Sequence, residues 1–551
     1  MASGGVKKEG SAKLALVAMT LAGSVILVDQ TAVPLATPDI VHDLHAPSDL
    51  GQWVLTANLL PLAAFMVLGG RLGDMFGLRK IFLIGTALFF TSTVVAITAP
   101  DIEVLILARV IQGVGAALMM PNTVSIVSTM FPAERRGSAL GVLAGGTAFF
   151  AALGPLIGGV LAGIDWRLIF VVNCVLTLLT LGLTLRSVPR IPGRRAGRID
   201  YPGVVTFALG IALFVFGIGQ FANPDATALM LYGSIVLGIV VLATFALIEL
   251  RTNEPLVKLR LLRDRNFAAA NISQMIAGAI ELGLGFLLPF QLLLIIGVSP
   301  SAAGLALLPA SLPIIFAGPL AGRAFDKFHG RGPMTTGYLV LAASGVALAM
   351  GTSNATVTAL IPGLILQGIG LGIVLTVNDP VGLAAVPDED SGQAAGLINT
   401  SEQLGGALGI AGFLAIEYGH YISKVNDYAA SQGQTPNSPT YARVRDYIMA
   451  VEQKGQAHVP RSGIVDQVAG FLKVAHISAY ELMFTASAGV ALVGAAISWA
   501  LIRPGPPLGI EMRSRRMRWV ISGLRIGQGI DQRAEAADQA SDSPGTTSPL
   551  S

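Results

Sequence analysis

Asp29, Arg109 and Glu281 each lie inside an apolar run of about twenty residues, the length that spans a bilayer. A carboxylate in the hydrocarbon core costs ~2.5 to 3.5 kcal/mol on insertion scales, so such groups face a cavity and mark an ion or proton path. Asp29 can load and release a proton. Arg109 keeps its charge and needs a carboxylate or helix carbonyls as its acceptor. Glu281 follows Asp29 by the same offset that separates Gly70 from Gly322, which makes it the counterpart of Asp29 in a repeat. Each has a structural alternative: a solvated Asp29 near Asp39 and Asp43, an Arg109 bonded to carbonyls, and a Glu281 bonded to Gln274 or to another span as helix-to-helix glue. Asn58, Gln112, Asn271, Gln274, Asn378, Asn399, Glu402 and Gln403 are further polar groups in apolar spans, able to bind substrate or to tie helices together.

Several chemistries are excluded. The single cysteine, Cys174, rules out an intrachain disulfide and a cysteine metal site. No H-E-x-x-H, G-x-S-x-G or Walker pattern stands in a plausible context, so neither an enzyme nor a bound metal or cofactor is expected. A net charge of +3 without a basic stripe and interleaved aromatics gives nucleic acid no footing.

The elements that must position these residues are membrane helices. The chain is 53% hydrophobic and 13% charged, with a mean hydropathy of +0.68, too apolar for a water-soluble protein. Spans are predicted with cores near 14–36, 51–69, 81–98, 104–126, 138–162, 168–185, 203–221, 228–248, 268–294, 302–321, 334–351, 357–378, 394–416 and 478–502. Lysine and arginine concentrate in alternate connections, placing both termini in the cytoplasm and requiring an even number of spans.

One signature occurs twice. Gly70-Arg71-Leu72-Gly73-Asp74-Met75-Phe76-Gly77-Leu78-Arg79 returns as Gly322-Arg323-Ala324-Phe325-Asp326-Lys327-Phe328-His329-Gly330-Arg331. Further on, Pro132 to Gly141 shares P-x-E-x-x-G-x-A-x-G with Pro387 to Gly396, and Gln112-Gly113 maps onto Gln367-Gly368, while Leu364 stands where Arg109 does. The acidic loop at Asp388, Glu389 and Asp390 thus takes its place as a repeat of the Glu134 loop without its arginines. The predicted organisation is a cytoplasmic segment 1–13, a six-helix bundle 14–186, a linker 187–267 with two extra spans, and a second bundle 268–502 with an outer insertion 417–477. The insertion reads as a helical hairpin or flap around a turn cluster at Gln432 to Pro439. Residues 503–551 read as a basic amphipathic segment, Arg513 to Ile526, and a disordered tail. Basic clusters flanking the extra spans suit anionic lipid or serve simply as topology determinants.

These motifs resemble the major facilitator superfamily, and within it the fourteen-span drug:proton antiporter branch. Asp29-Gln30-Thr31-Ala32-Val33-Pro34-Leu35-Ala36-Thr37-Pro38 is similar to that branch's D-x-T-V-V-N-V-A-L-P, with Pro34 in place of asparagine. Leu105 to Gly115 fits l-x-x-x-R-x-x-Q-G-x-G; Gly141, Gly154-Pro155 and Gly158-Gly159 match most of the span-five antiporter motif; Trp166 to Asn173 resembles the start of span six.

The resemblance implies an all-α integral membrane fold of two six-helix bundles of parallel repeat topology plus two inserted central helices. It implies a proton-coupled exporter of amphipathic, cationic or neutral drug-like compounds, with a lipid or secondary-metabolite exporter as the alternative on the same fold and a proton-coupled metabolite importer disfavoured by Gly154-Pro155. It implies a monomer in a bacterial cytoplasmic membrane, with protons, small substrates and lipids as its partners and the proton gradient, not a cofactor, as its drive. Asp29 and Arg109 would couple protons, and spans one and nine would set Asp29 and Glu281 across the central cavity as an acid pair, Glu281 being a second proton site or the anion that attracts cations. Gly70, Asp74, Gly77, Arg79 and Asp326 would form a charged latch holding one access state, weakened by Met75 and Leu78 where cations are common. The glycines of span five would be close-packing seams with a sliding role.

Overall fold

The computed structural model describes residues 2–46, 48–132, 135–193, 200–220, 227–252, 255–256, 258–298, 300–387, 390–431 and 463–505. The chain divides into two units, Met1–Pro504 and Gly505–Ser551, and the described helices all belong to the first. The Glu134 and Asp388-Glu389 positions, the Gln432 to Pro439 cluster and the basic amphipathic segment lie outside the described residues.

Among the described residues regular structure is entirely helical. The helices of eighteen residues or more are α1 (Ala2–Asp43), α2 (Ser48–Phe76), α3 (Leu78–Ile97), α4 (Ile102–Met130), α5 (Arg136–Ala162), α6 (Arg167–Ser187), α7 (Tyr201–Gly219), α8 (Ser234–Arg251), α9 (Arg265–Phe290), α10 (Leu308–Phe328), α11 (Arg331–Thr352), α12 (Val357–Leu383), α13 (Ser391–Ser431) and α14 (Gly463–Leu501). Backbone groups in hydrocarbon must be paired within the segment, and a helix achieves this even with Pro61, Pro121 or Pro313 inside it.

Thirteen helices among the described residues are long and apolar enough to cross a membrane. The remaining one, α13, has the length, 41 residues or ~60 Å, but carries Asn399, Thr400, Ser401, Glu402 and Gln403 on consecutive positions. It packs along α9 through glycines, where a Cβ on Gly405 would strike the Met275 backbone and one on Gly409 the Ala279 backbone. Its polarity is turned inward, which is why composition alone understates it.

Helices α1 to α6 pack on one another, as do α9 to α14, and the two sets meet where α2 crosses α13 and α5 crosses α10. Past Ile416, α13 runs beside the first turns of α14, with Tyr421 stacked on His476 at 3.7 Å, Tyr428 on Phe471 at 4.1 Å, and His476 Nδ1 3.2 Å from Glu417. The predicted insertion, 417–477, therefore starts and ends as paired helices.

The inserted helices α7 and α8 pack on each other through Gly210 against Leu242 and Gly238 against Phe214. Phe207, Ile211 and Phe245 bury Ala63 and Val67 of α2, with Leu397 and Leu404 of α13 beside them, so the insert lies over the α2–α13 seam. Its outgoing linker adds polar ties. Lys258 Nζ contacts both carboxylate oxygens of Asp390 at 2.7 and 2.8 Å, the Gln393 amide donates to the Leu256 carbonyl, and Leu256 N–H donates to Glu249 at 3.1 Å. This explains the acidic loop. Asp390 stands where the first half has Arg135, and the cation it lacks locally arrives from the insert. Lys258→Ala should leave a carboxylate only 6% exposed without its cation and loosen this seam. We expect faster hydrogen exchange at the amino-terminal turn of α13, seen by mass spectrometry, and unchanged protection of that turn would show that Lys258 does not strap it.

Candidate functional site

Asp29 is 1% exposed and lies in the second half of α1, its carboxylate met by side chains of α4 and α6. Arg109 of α4 holds one oxygen through Nη1 at 2.5 Å, and Asn173 of α6 donates to the other at 2.7 Å. Gln112 stands one helical turn from Arg109. Its Oε1 accepts from Arg109 Nη1 at 2.7 Å, while its Nε2 reaches Thr93 of α3 at 3.1 Å and Asp29 at 3.4 Å. Arg109 Nε also donates to the Val54 carbonyl of α2 at 3.0 Å. The group thus ties five helices, and Asp29 is the one carboxylate among its described members. Breaking such a pair by removing one partner costs about 3 to 5 kcal/mol, because it leaves a buried charge uncompensated.

The helix that carries Asp29 is held from the side by α5. A Cβ on Gly154 would overlap Thr31 Oγ1, and one on Gly158 would meet the Ala32 carbonyl at 2.5 Å. Thr31 also donates to the Ala151 carbonyl at 3.0 Å. The glycines therefore let α5 lie against α1 within one turn of Asp29. Gly159 has open space around it. Pro155 lies in the same helix.

In the second half, α9 presents Asn271, Gln274, Gly278 and Glu281 at helical spacing towards α13. Ser401 donates to Asn271 at 3.0 Å, Gln274 Nε2 donates to Glu402 at 2.5 Å, and a Cβ on Gly278 would strike the Glu402 carbonyl. Glu402 lies within electrostatic range of both Glu281 and Asp379. Asn378 of α12 donates to the Ala270 carbonyl at 3.0 Å, and Asn399 donates to Ala395 of its own helix at 2.8 Å. Gln403 is half-buried. Asn58 is buried in α2 against Gly113 of α4, its amide nitrogen without a partner.

Two expectations need correction here. Asp29 and Glu281 do not form an acid pair: Asp29 turns to Arg109, and Glu281 to Glu402. Equal register fixes height along the helix, but azimuth follows the partner on offer, and the second half has Leu364 in place of Arg109. The alternative that bonds Gln274 to Glu281 is not seen either: Gln274 is bonded to Glu402, whose backbone packs against Gly278 of α9.

The doubled loop signature also resolves. Asp74, at the end of α2, accepts from the N–H groups of Gly392 and Gln393 at 2.9 and 2.7 Å. Asp326, at the end of α10, accepts from Ser138 N–H at 3.3 Å and Ser138 Oγ at 2.9 Å. Each half thus caps the first turn of the other half's fifth helix, where four N–H groups lack partners and the helix dipole favours an anion. The residues expected to form an ionic latch thus make a reciprocal cap rather than an ion pair, and that cap uses no cation at Met75 or Leu78. Arg79 reaches the Leu185 carbonyl within its own half at 2.9 Å. Glycines bring the backbones together at both crossings, Gly70 with Gly392 and Gly137 with Gly322. Gly77 takes φ 102°, which only glycine adopts without strain.

At the opposite end of α1, Arg167 Nη1 and Trp166 Nε1 donate to Asp43 at 2.7 and 3.0 Å. The Arg167 bond first, then that of Trp166, holds the Asp43 carboxyl below its ordinary range. The tie is therefore complete above that range and is lost as pH falls through the lowered value. It gives the Trp166-Arg167 motif a local task, fixing α6 to the end of α1.

Residues 19–410 match the sequence pattern of the Major Facilitator Superfamily. The chain belongs to that superfamily. Among its relatives, a puromycin resistance protein of Streptomyces alboniger is 33% identical over 450 residues, covering 79% of this chain and 87% of its own. A tetracenomycin C resistance and export protein of Streptomyces glaucescens is 30% identical over 494 residues, covering 88% and 90%. The solved proton:xylose symporter bound to 6-bromo-6-deoxy-D-glucose aligns with a TM-score of 0.57 at 14% identity, over 90% of this chain and 97% of that one, and shows the shared fold. As a major facilitator protein the chain is a multi-pass membrane transporter, and its antibiotic-resistance relatives agree with the fourteen-span drug exporter branch.

Sequence reading missed Thr93 and Asp379, and gave Asn173 no role beyond its place in the Trp166 to Asn173 motif. Asp379 was detectable: a carboxylate between Asn378 and Pro380 falls one residue past the span core drawn at 357–378, while α12 runs on to Leu383.

Proposed function

We propose that the protein is a proton-coupled exporter of amphipathic, cationic or neutral drug-like compounds, with both termini in the cytoplasm of a bacterial cell and the monomer as the working unit. The observation that carries this reading is the buried Asp29–Arg109 pair, a titratable acid whose charge state decides whether five helices are tied together. Ionised, Asp29 holds Arg109, Asn173 and Gln112. Protonated from outside, it no longer balances the Arg109 charge, and α4 and α6 are freed relative to α1. That movement has a route to the inter-half crossing. Thr31 packs on Gly154, and the same helix α5 meets α10 at Gly137 and Gly141. Proton loading would thereby weaken substrate binding and reset the cavity. Relatives named for resistance to puromycin and lincomycin support a drug-like cargo.

A second reading keeps the mechanism and changes the cargo to a secondary metabolite, supported by the relative named for tetracenomycin C export. Puromycin and tetracenomycin C in inverted membrane vesicles test both. An acid-inside gradient should drive uptake that a protonophore collapses, with puromycin favouring the first reading and tetracenomycin C alone the second. Uptake only by right-side-out vesicles with acid outside would make the protein a symporter and reject the proposal.

A further inference from the structure

The buried face of α6 is polar where a membrane helix is ordinarily apolar. Asn173, which donates to Asp29 at 2.7 Å, is followed by Thr177, Thr180, Thr184 and Ser187, and these four are the only buried residues in the rest of the helix. Their spacing sets all five on one face, over about 21 Å of helix. The three threonines are fully buried and Ser187 is 2% exposed. From Asp29 to the end of α6, every buried position therefore carries a hydroxyl.

Hydroxyls in membrane helices commonly bond back to the preceding turn or tie helices together. That accounts for part of the row. Thr177 donates to the Asn173 carbonyl at 2.7 Å, Thr180 to that of Leu176 at 2.8 Å and Ser187 to that of Leu183 at 2.7 Å, and each oxygen keeps lone pairs able to accept a further bond. Two atoms are left over. Thr184 Oγ1 and Asn173 Oδ1 are buried with no partner, an arrangement that costs about 1 to 3 kcal/mol per group unless water satisfies it. The facing helix offers nothing in its place. Ser11 and Asp29, the α1 residues bonded to the two ends of the row, share a helical face with Ala15, Ala18, Ala22 and Val25, all buried and all without a polar side-chain atom. At the far end the row reaches the surface, where the half-buried Ser11 donates to the Ser187 carbonyl at 2.6 Å.

We propose that this row is a proton-release path, in which water held at Asn173 and along Thr177, Thr180 and Thr184 carries the Asp29 proton to the Ser11–Ser187 end of the first half. At each step one O–H bond forms as another breaks. Asp29 loses one proton, solvent at the far end gains one, and no other bond changes. The inference deepens the exporter reading and rests on it for the proton at Asp29 and for the cytoplasmic side of that end. Because the path runs between α1 and α6, inside the first bundle, a departing proton does not meet cargo entering between the halves.

Two fluxes of radiolabelled puromycin, measured on the full chain in proteoliposomes, test this. Equilibrium exchange, with puromycin on both sides at one pH, needs no net proton transfer, whereas gradient-driven flux does. Thr177→Val, Thr180→Val and Thr184→Val combined keep the β-branched shape and remove the hydroxyls. This triple variant should exchange puromycin at the wild-type rate yet lose about tenfold or more of the driven flux, the low side of what a positioned proton-transfer group contributes. Thr184→Ser, which keeps a hydroxyl, should retain the driven flux. Where the triple variant fails to fold, Thr184→Val alone takes its place and should show the same split, since it removes an oxygen without a partner. Driven flux equal to wild type in the folded valine variant overturns the path. An equal fall in both fluxes overturns it too, by marking the threonines as packing. Failure of the exporter reading appears in the wild type instead, as exchange that no proton gradient drives, and it removes the path as well.

Discussion

Asp29→Asn is expected to abolish proton-driven transport while the protein remains in the membrane. Coupling free energies between sites run about 1 to 3 kcal/mol, or about 5- to 150-fold. The upper end is expected here, because Asp29 is the one carboxylate among the described members of its network. Asparagine keeps the shape but offers no proton to exchange, and it leaves the Arg109 charge facing an amide. Arg109 retains the Val54 carbonyl and Gln112 Oε1, so part of the ~3 to 5 kcal/mol cost of an orphaned buried charge is offset. A lowered melting temperature with the fold intact should therefore accompany the loss. Asp29→Glu, which still titrates, should recover a fraction of the coupled flux. Arg109→Lys should not, since an ammonium cannot span Asp29, Gln112 and the Val54 carbonyl as the planar guanidinium does. Initial rates in proteoliposomes with an imposed gradient decide this, and coupled flux in the asparagine variant close to wild type would remove Asp29 from the mechanism.

The second large effect concerns the crossing of the halves. A Cβ on Gly70 would overlap the carbonyl of Gly392, and that atom is backbone at the first turn of a capped helix, with little freedom to retreat. Gly70→Val should hold the ends of α2 and α13 apart, separate Asp74 from the Gly392 and Gln393 amides, and reduce turnover to a few per cent, about 2 kcal/mol of lost closure at ~1.4 kcal/mol per factor of ten. Gly322→Val, against the Gly137 carbonyl, should act the same way on the other crossing. Gly182→Val in α6, with no atom within 4 Å, is the control that should change little. Spin-label distances across α2 and α13 report the separation. Normal turnover in Gly70→Val, or unchanged distances, would mean that this closed crossing is not part of the cycle.

Much of the architecture was legible because membrane helices are written in composition: apolar runs gave the positions of the helices, and the repeated Gly70 and Gly322 signatures paired the halves. Asp29, Arg109 and Glu281 stood out because ionisable groups in such runs are rare. Their partners were less visible. The choice of Asn173 and Thr93 as companions of Asp29 depends on which faces of α6 and α3 turn inward, and polar residues of that kind are common in membrane helices. The supposed pairing of Asp29 with Glu281 failed because register determines height and not direction. The two loop aspartates looked like elements of an ionic latch, yet their acceptor role needs only the N–H groups at the opposite helix start, which no side-chain pattern announces. The Asp390 loop was conspicuous for lacking cations, and its partner Lys258 lay in the insert, where no repeat register could have led.

In the proposed mechanism, substrate and proton exclude one another through Asp29. Adding a transported compound to the solubilised, weakly buffered wild-type protein, with a pH indicator present and the starting pH varied, should release protons into solution in proportion to the protein bound. Asp29→Asn should bind the compound and release none. Proton release of equal size from the asparagine variant, or binding without release by the wild type at every starting pH, would contradict that exclusion.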